Sequence, residues 1–82
     1  MLEKIEQCAI KTWHTLGKAG EVNVLRLSEH LEERSVIIYQ ALGWLAREGK
    51  ISYDLKGNQV YVSLTEEEQA RFDSIGGKGE KG

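Results

Sequence analysis

The sequence predicts an α+β fold in which a three-helix core is followed by a small antiparallel sheet and a short last helix. Two observations support this prediction. Apolar residues recur at helical spacing in three early segments, and two alternating segments flank a short turn containing glycine. The 82 residues suffice for one domain, which we expect over 1–75, with 76–82 as a disordered tail of Gly, Lys and Glu.

Composition narrows the class of protein. The net charge of −2 and the pI of about 5.7 argue against a strongly basic nucleic-acid-binding protein, whose domain pI usually exceeds about 9. The single cysteine excludes an internal disulfide, and no apolar run approaches the ~20 residues that span a bilayer. We therefore expect a cytoplasmic protein with no membrane contact. A chain this small buries only about 60–65% of its unfolded surface, which favours a homodimer.

The helical segments can be placed from their apolar residues and their caps. The first helix should carry an apolar stripe and end near two glycines; these residues are Leu2, Ile5, Ala9, Trp13, Leu16, Gly17 and Gly20. A short strand at 22–24 should follow. Ser28 is predicted as the N-cap of a short helix ending near Glu33, and Ser35 as the N-cap of the strongest helix, Val36 to about Glu48, which Gly49 should end.

The second half of the chain predicts a hairpin and one more helix. Ile51–Leu55 and Val60–Leu64 alternate apolar and polar residues, and Gly57 between them can take a positive φ. Thr65, with a glutamate three residues later, is a capping box for a helix to about Asp73. Phe72 should pack from this helix onto the core.

This order of elements is typical of a winged helix-turn-helix domain. The stretch ALGWLAREGKI, residues 41–51, resembles the junction between helix and wing in bacterial and archaeal winged-helix regulators. From Leu2 to about Phe72 the chain is similar to a family of small stand-alone winged-helix proteins of unassigned function. The resemblance implies the fold, and it leaves DNA binding and protein docking both open.

The third helix has two distinct faces. Its core face should consist of Ile38, Ala41, Leu42 and Leu45. Its outer face should consist of Val36, Tyr39, Gln40, Gly43 and Arg47, with Ile37 and Trp44 at the edge between the two. The segment from Arg34 to Leu64 contains four cationic and two acidic residues, a net charge of +2, so it is the more basic part of the chain.

Two functional hypotheses follow from that outer face. The first is DNA binding in transcriptional control, since Gln can pair with adenine and Arg with guanine or phosphate. Its candidate residues are Arg34, Ser35, Tyr39, Gln40, Arg47, Lys56 and Asn58. The alternative is a protein-interaction or homodimerisation module, because the face also offers an apolar patch of the residue types enriched at interfaces. Its candidate residues are Val36, Ile37, Tyr39 and Trp44.

Catalytic and metal-binding patterns are missing from the sequence. Cys8 and His14 are six positions apart on one helix and point in different directions, and His30 has no cysteine at ligand spacing. Cys8 is interpreted as a small buried hydrophobe and Glu66–Glu68 as an acidic first helical turn. We expect no enzymatic activity, no cofactor, no metal and no small-molecule substrate.

Overall fold

The computed structural model describes residues 2–77 and has the predicted order of elements. The elements are α1 (Leu2–Ala19), β1 (Glu21–Asn23), a 3-10 turn (Val24–Arg26), α2 (Leu27–Leu31), α3 (Ser35–Arg47), β2 (Ile51–Lys56), β3 (Gln59–Leu64), α4 (Glu66–Phe72) and a π turn (Asp73–Gly77). Of the predicted tail, Gly76 and Gly77 belong to this last turn, and 78–82 lie outside the described residues.

The first helix buries one face along most of its length. Ile5, Ala9 and Leu16 lie in the core as predicted, together with Cys8, which is confirmed as a buried small side chain. Thr12 is fully buried between them, and its hydroxyl donates a 2.7 Å hydrogen bond to the carbonyl oxygen of Cys8. The prediction was wrong for Leu2, which is 63% exposed at the start of α1.

Gly17 has a packing role that differs from the one predicted. It is buried inside α1 and does not end it; Gly20, with φ of 90°, follows the helix. A Cβ on Gly17 would lie 2.4 Å from Cδ1 of Phe72, well inside van der Waals contact. The missing side chain at this position therefore lets α4 lie against α1, where Phe72 is buried as predicted.

Neither predicted serine N-cap is used. Asn23 caps instead, since its Oδ1 accepts a 2.9 Å hydrogen bond from the Leu25 N–H at the start of the 3-10 turn, and this turn runs directly into α2. Glu32 adopts a left-handed conformation with φ of 53°, so α2 ends before the predicted Glu33. Ser35 is the first helical residue of α3, and Arg34 occupies the N-cap position without a side-chain hydrogen bond.

The three strands form an antiparallel sheet in the order β1-β3-β2. β1 joins through the pair Val22 and Val62, and the hairpin closes through the pair Lys56 and Gln59 around a two-residue turn. Both glycine predictions are confirmed: Gly57 has φ of 65° in this turn, and Gly49 has φ of 73° just after α3.

The capping box at the start of α4 is confirmed in one half. The Thr65 hydroxyl accepts a 3.3 Å hydrogen bond from the Glu68 N–H. The Glu68 carboxylate does not return to Thr65 but accepts a 2.8 Å hydrogen bond from Nε1 of Trp13. Trp13 and Phe72 stack edge to face with ring centroids 5.4 Å apart, so α4 is attached to α1 by both polar and aromatic contacts.

None of the helices in residues 2–77 has both the length and the apolar character that crossing a bilayer requires.

The contact between α1 and α4 predicts opposite effects for two glycine substitutions. Gly17→Ala should lower the free energy of unfolding by about 1–2 kcal/mol, because overpacking against Phe72 exceeds the gain in helix propensity. Gly43→Ala is the matched control, since its Cβ would meet no atom within 4 Å, and it should raise stability by up to about 1 kcal/mol. Urea denaturation of both variants measures this. Equal stability of the two variants would contradict the close packing at Gly17.

Candidate nucleic-acid interface

The outer face of α3 is the surface that a winged-helix domain presents to the major groove. All four predicted core residues of this helix are buried, and the predicted outer residues Val36, Tyr39, Gln40, Gly43 and Arg47 are all exposed. The two faces therefore separate as the helical wheel predicts. The polar outer residues Gln40 and Arg47 lie seven positions apart, about 10.5 Å along the helix axis.

The apolar patch predicted on this helix is smaller than expected. Ile37 is only 5% exposed and belongs to the core, and Trp44 is half-buried against it. The reason is that α1, α2 and β2 all pack against α3, so a wider arc of the helix is covered than one apolar stripe requires. Of the four predicted interface residues, Val36 and Tyr39 remain about half exposed.

The N-terminal end of α3 presents Arg34 and Ser35 to solvent. The carbonyl oxygen of Arg34 accepts hydrogen bonds from the N–H groups of Ile37 and Ile38, at 3.0 and 3.1 Å. The Ser35 hydroxyl makes no hydrogen bond within residues 2–77, and the first N–H groups of a helix have no intrahelical acceptor. This end can therefore donate hydrogen bonds to an anion beside the positive end of the helix dipole.

The cations near this surface differ in whether they already have a partner. Arg34, Arg47 and Lys50 form no ion pair within the described part of the chain. Lys56, by contrast, lies 2.6 Å from a carboxylate oxygen of Glu21 and 5.2 Å from the ring centroid of Tyr61. The hydrogen bond to Glu21 is the main cause of the raised pKa of Lys56. Lys56, the predicted phosphate contact of the wing, thus has its charge neutralised by a carboxylate of the same chain. Asn58 is exposed at the turn.

Gly43 lies in the middle of α3 on its outer face. No atom lies within 4 Å of the position its Cβ would occupy, so packing within the chain does not require glycine there. Glycine inside a helix costs about 1 kcal/mol relative to alanine. Because Gly43 has no side chain, the surface of α3 between Gln40 and Arg47 lets another backbone approach the helix closely.

A groove between α1, α3 and α4 was not predicted. It has a volume of about 340 Å³, and its apolar lining is Ala9, Ile10, Trp13, Trp44 and Leu45. Glu68 and Arg71 line one side, with the Glu68 carboxylate held by Trp13. Residues 55 positions apart meet here, and no local periodicity in the sequence indicates such a contact.

Cys8 and His14, the nucleophilic and metal-ligand residue types of α1, both make contacts within their own helix. Within 2–77 no group of three or more His, Cys, Asp or Glu side chains could hold a metal ion. Burial raises the pKa of the Cys8 thiol, which disfavours the reactive thiolate. Nδ1 of His14 lies 3.3 Å from the carbonyl oxygen of Ile10, a contact within its own helix.

Several solved structures share this fold. The transcriptional regulator HlyU from Vibrio vulnificus matches with a TM-score of 0.73 and 24% identity, over 90% of this chain and 78% of that one. ZitR from Lactococcus lactis matches with a TM-score of 0.76 and 19% identity, over 98% of this chain and 62% of that one. YusO from Bacillus subtilis matches with a TM-score of 0.71 and 20% identity, over 99% and 64%.

The sequence matches one family model. No curated protein matches the chain at a significant level. The family model described as a winged helix-turn-helix domain (DUF2582) matches residues 2–64, which include every element from α1 to β3. With the helices, the hairpin and this match in agreement, the chain belongs to the DUF2582 family of winged helix-turn-helix domains.

Proposed function

We propose that this protein binds double-stranded DNA through α3 and acts as a non-enzymatic regulator of transcription. The observation that carries the proposal is the outer face of α3, where Gln40 and Arg47 are exposed on either side of Gly43. Arg47 forms no ion pair within residues 2–77, so its charge is available to a partner. The likeness in fold to HlyU, a transcriptional regulator, supports the same proposal.

Base recognition is assigned to Gln40 and Arg47. A Gln side chain can bond N6 and N7 of adenine, and Arg can bond O6 and N7 of guanine. Gly43 between them would let the helix backbone sit deep in the groove, and Tyr39, one position before Gln40, offers an apolar edge to a thymine methyl group.

Backbone contacts are assigned to both ends of the surface. Arg34 and Ser35 would bond phosphate at the start of α3, and Lys56 and Asn58 would reach a flanking phosphate from the wing. The number of free cations is small, so binding should be modest and strongly dependent on salt.

The alternative is a protein-interaction or homodimerisation module with weak DNA binding. The half exposure of Val36 and Tyr39 favours it, as does the net charge of −2. With Ile37 in the core, this apolar surface is limited to the first two turns of α3. DNA binding is preferred because Gln40 and Arg47, beyond those turns, are residue types that bond base edges, and Gly43 between them leaves room for close approach.

Substitution of Gln40 tests base recognition. Gln40→Ala should cost about 1–3 kcal/mol of discrimination at one base pair and leave binding to other sequences little changed. Gln7→Ala is the matched control, since Gln7 is exposed on α1, away from this face. The measurement is fluorescence anisotropy with a site selected from randomised duplex at near-physiological salt. No detectable binding of the folded wild-type protein would contradict the proposal and favour the interaction module.

The ion pair between Lys56 and Glu21 predicts a gain of binding. Glu21→Gln removes one negative charge and releases Lys56, so DNA affinity should rise severalfold and the salt slope should increase by about one unit. Adding Lys56→Ala to this variant should cancel the increase. Titrations at several salt concentrations measure the slope. If Glu21→Gln leaves it unchanged, the wing does not contact phosphate through Lys56.

A further inference from the structure

The strand β2 forms a free edge of the sheet. Within residues 2–77 the strand order is β1-β3-β2, so β3 is the one strand that pairs with β2. β2 runs for six residues, from Ile51 to Lys56. All of these residues except Ile51 are exposed. An edge strand of this length presents a row of unpaired N–H and C=O groups to which another strand can bond.

The register of the hairpin shows which backbone groups face that edge. In a two-residue hairpin the closing pair, here Lys56 and Gln59, is hydrogen-bonded, and hydrogen-bonded pairs alternate along the strands. Asp54 therefore directs its N–H and C=O toward β3. Tyr53 and Leu55, at the alternating positions, direct theirs toward the open edge.

The same two residues carry apolar side chains that the core does not cover. Tyr53 is opposite the buried Val62, and Leu55 is opposite Val60, so all four share the inner face of the sheet. Val62 is fully buried, but Tyr53 is 49%, Leu55 69% and Val60 40% exposed. The inner face thus continues beyond the core as an uncovered apolar strip along the free edge.

We propose that a second copy of this chain pairs with β2, strand to strand and antiparallel, about a twofold axis at Leu55. Leu55 of each copy would exchange two backbone hydrogen bonds with Leu55 of the other, and the two apolar strips would join. This inference goes beyond DNA binding and does not depend on it. A Lys56 that pairs with Asp54 of the other copy would not contact phosphate, so the dimer and the wing contact to DNA compete for this residue.

The charges beside Leu55 favour a second copy as the occupant. Charged residues on an edge strand usually prevent pairing. Here, however, the sequence Asp54-Leu55-Lys56 is complementary to itself when it runs antiparallel about its centre, because each Asp54 then lies opposite Lys56 of the other copy. In the single chain Lys56 extends over Tyr61 of β3 to Glu21 on β1, away from the free edge. In the dimer its side chain would exchange Glu21 for Asp54 of the other copy.

One experiment places the interface. Sedimentation velocity over a range of concentrations should show a dimer for the wild-type protein, and Leu55→Lys should weaken association about tenfold or more because two like charges meet at the axis. Leu2→Lys is the matched control, since Leu2 is 63% exposed on α1 and the substitution adds the same charge. Circular dichroism checks that both variants fold. A monomeric wild-type protein at high micromolar concentration, or loss of the dimer with Leu2→Lys alone, would overturn the proposal.

A second experiment tests the register by complementation. Asp54→Lys and Lys56→Glu should each be monomeric alone, because like charges face each other twice across the axis. Mixed, the two variants should form a heterodimer in which every facing pair is opposite in charge; native mass spectrometry distinguishes the species. An axis at Asp54 would instead leave Lys56→Glu as dimeric as the wild-type protein. That result, or the lack of a heterodimer, would overturn the proposed pairing.

Amide hydrogen exchange gives a check that needs no substitution. Exchange of the Leu55 N–H should slow as the protein concentration rises, while that of Asp54, bonded to β3 in either state, should not change. Leu55 exchange that is independent of concentration would count against pairing at this edge.

Discussion

The packing of α3 on three sides controls what the rest of the molecule can offer a partner. Contacts from α1, α2 and β2 cover its inner row and also Ile37, so that one outer strip of the helix stays exposed. The wing begins at Ile51, three residues after the helix C-cap Glu48, and its position follows from the direction in which α3 ends. The outer face, the wing and the free edge of β2 thus have their relative positions fixed by the packing of this one helix.

Long elements with regular apolar spacing were predictable from the sequence, whereas contacts between distant residues were not. The two faces of α3 and the hairpin follow from periods of 3.6 and 2, and Gly49 and Gly57 follow from the need for positive φ. The serine caps failed because Ser28 and Ser35 each lie inside the helix that they were expected to start. Propensity identifies residues able to cap, but the tertiary path of the chain decides which of them does so.

The candidate site shows the same division. Exposure of Gln40 and Arg47 could be predicted, because it depends on the helix alone. The pairing of Lys56 with Glu21 joins residues 35 positions apart, across all three strands, and depends on the register that β1 takes beside β3. The sequence alone predicts Lys56 as a phosphate contact, whereas in the fold it is paired with a carboxylate from the far edge of the sheet.

The meeting of Gly17 and Phe72 has a consequence for how the chain reaches its native state. Gly17 lies near the start of the chain. The Phe72 ring that packs on it lies 55 residues later in the sequence, beyond the residues that the family model matches. The indole N–H of Trp13 likewise lacks its acceptor, the Glu68 carboxylate, until that later part of the chain has been made. During synthesis, which proceeds from the N-terminus, α1 stays uncovered on this side until almost every described residue has been added. The surface of α1 is therefore fully covered only when the domain is almost complete.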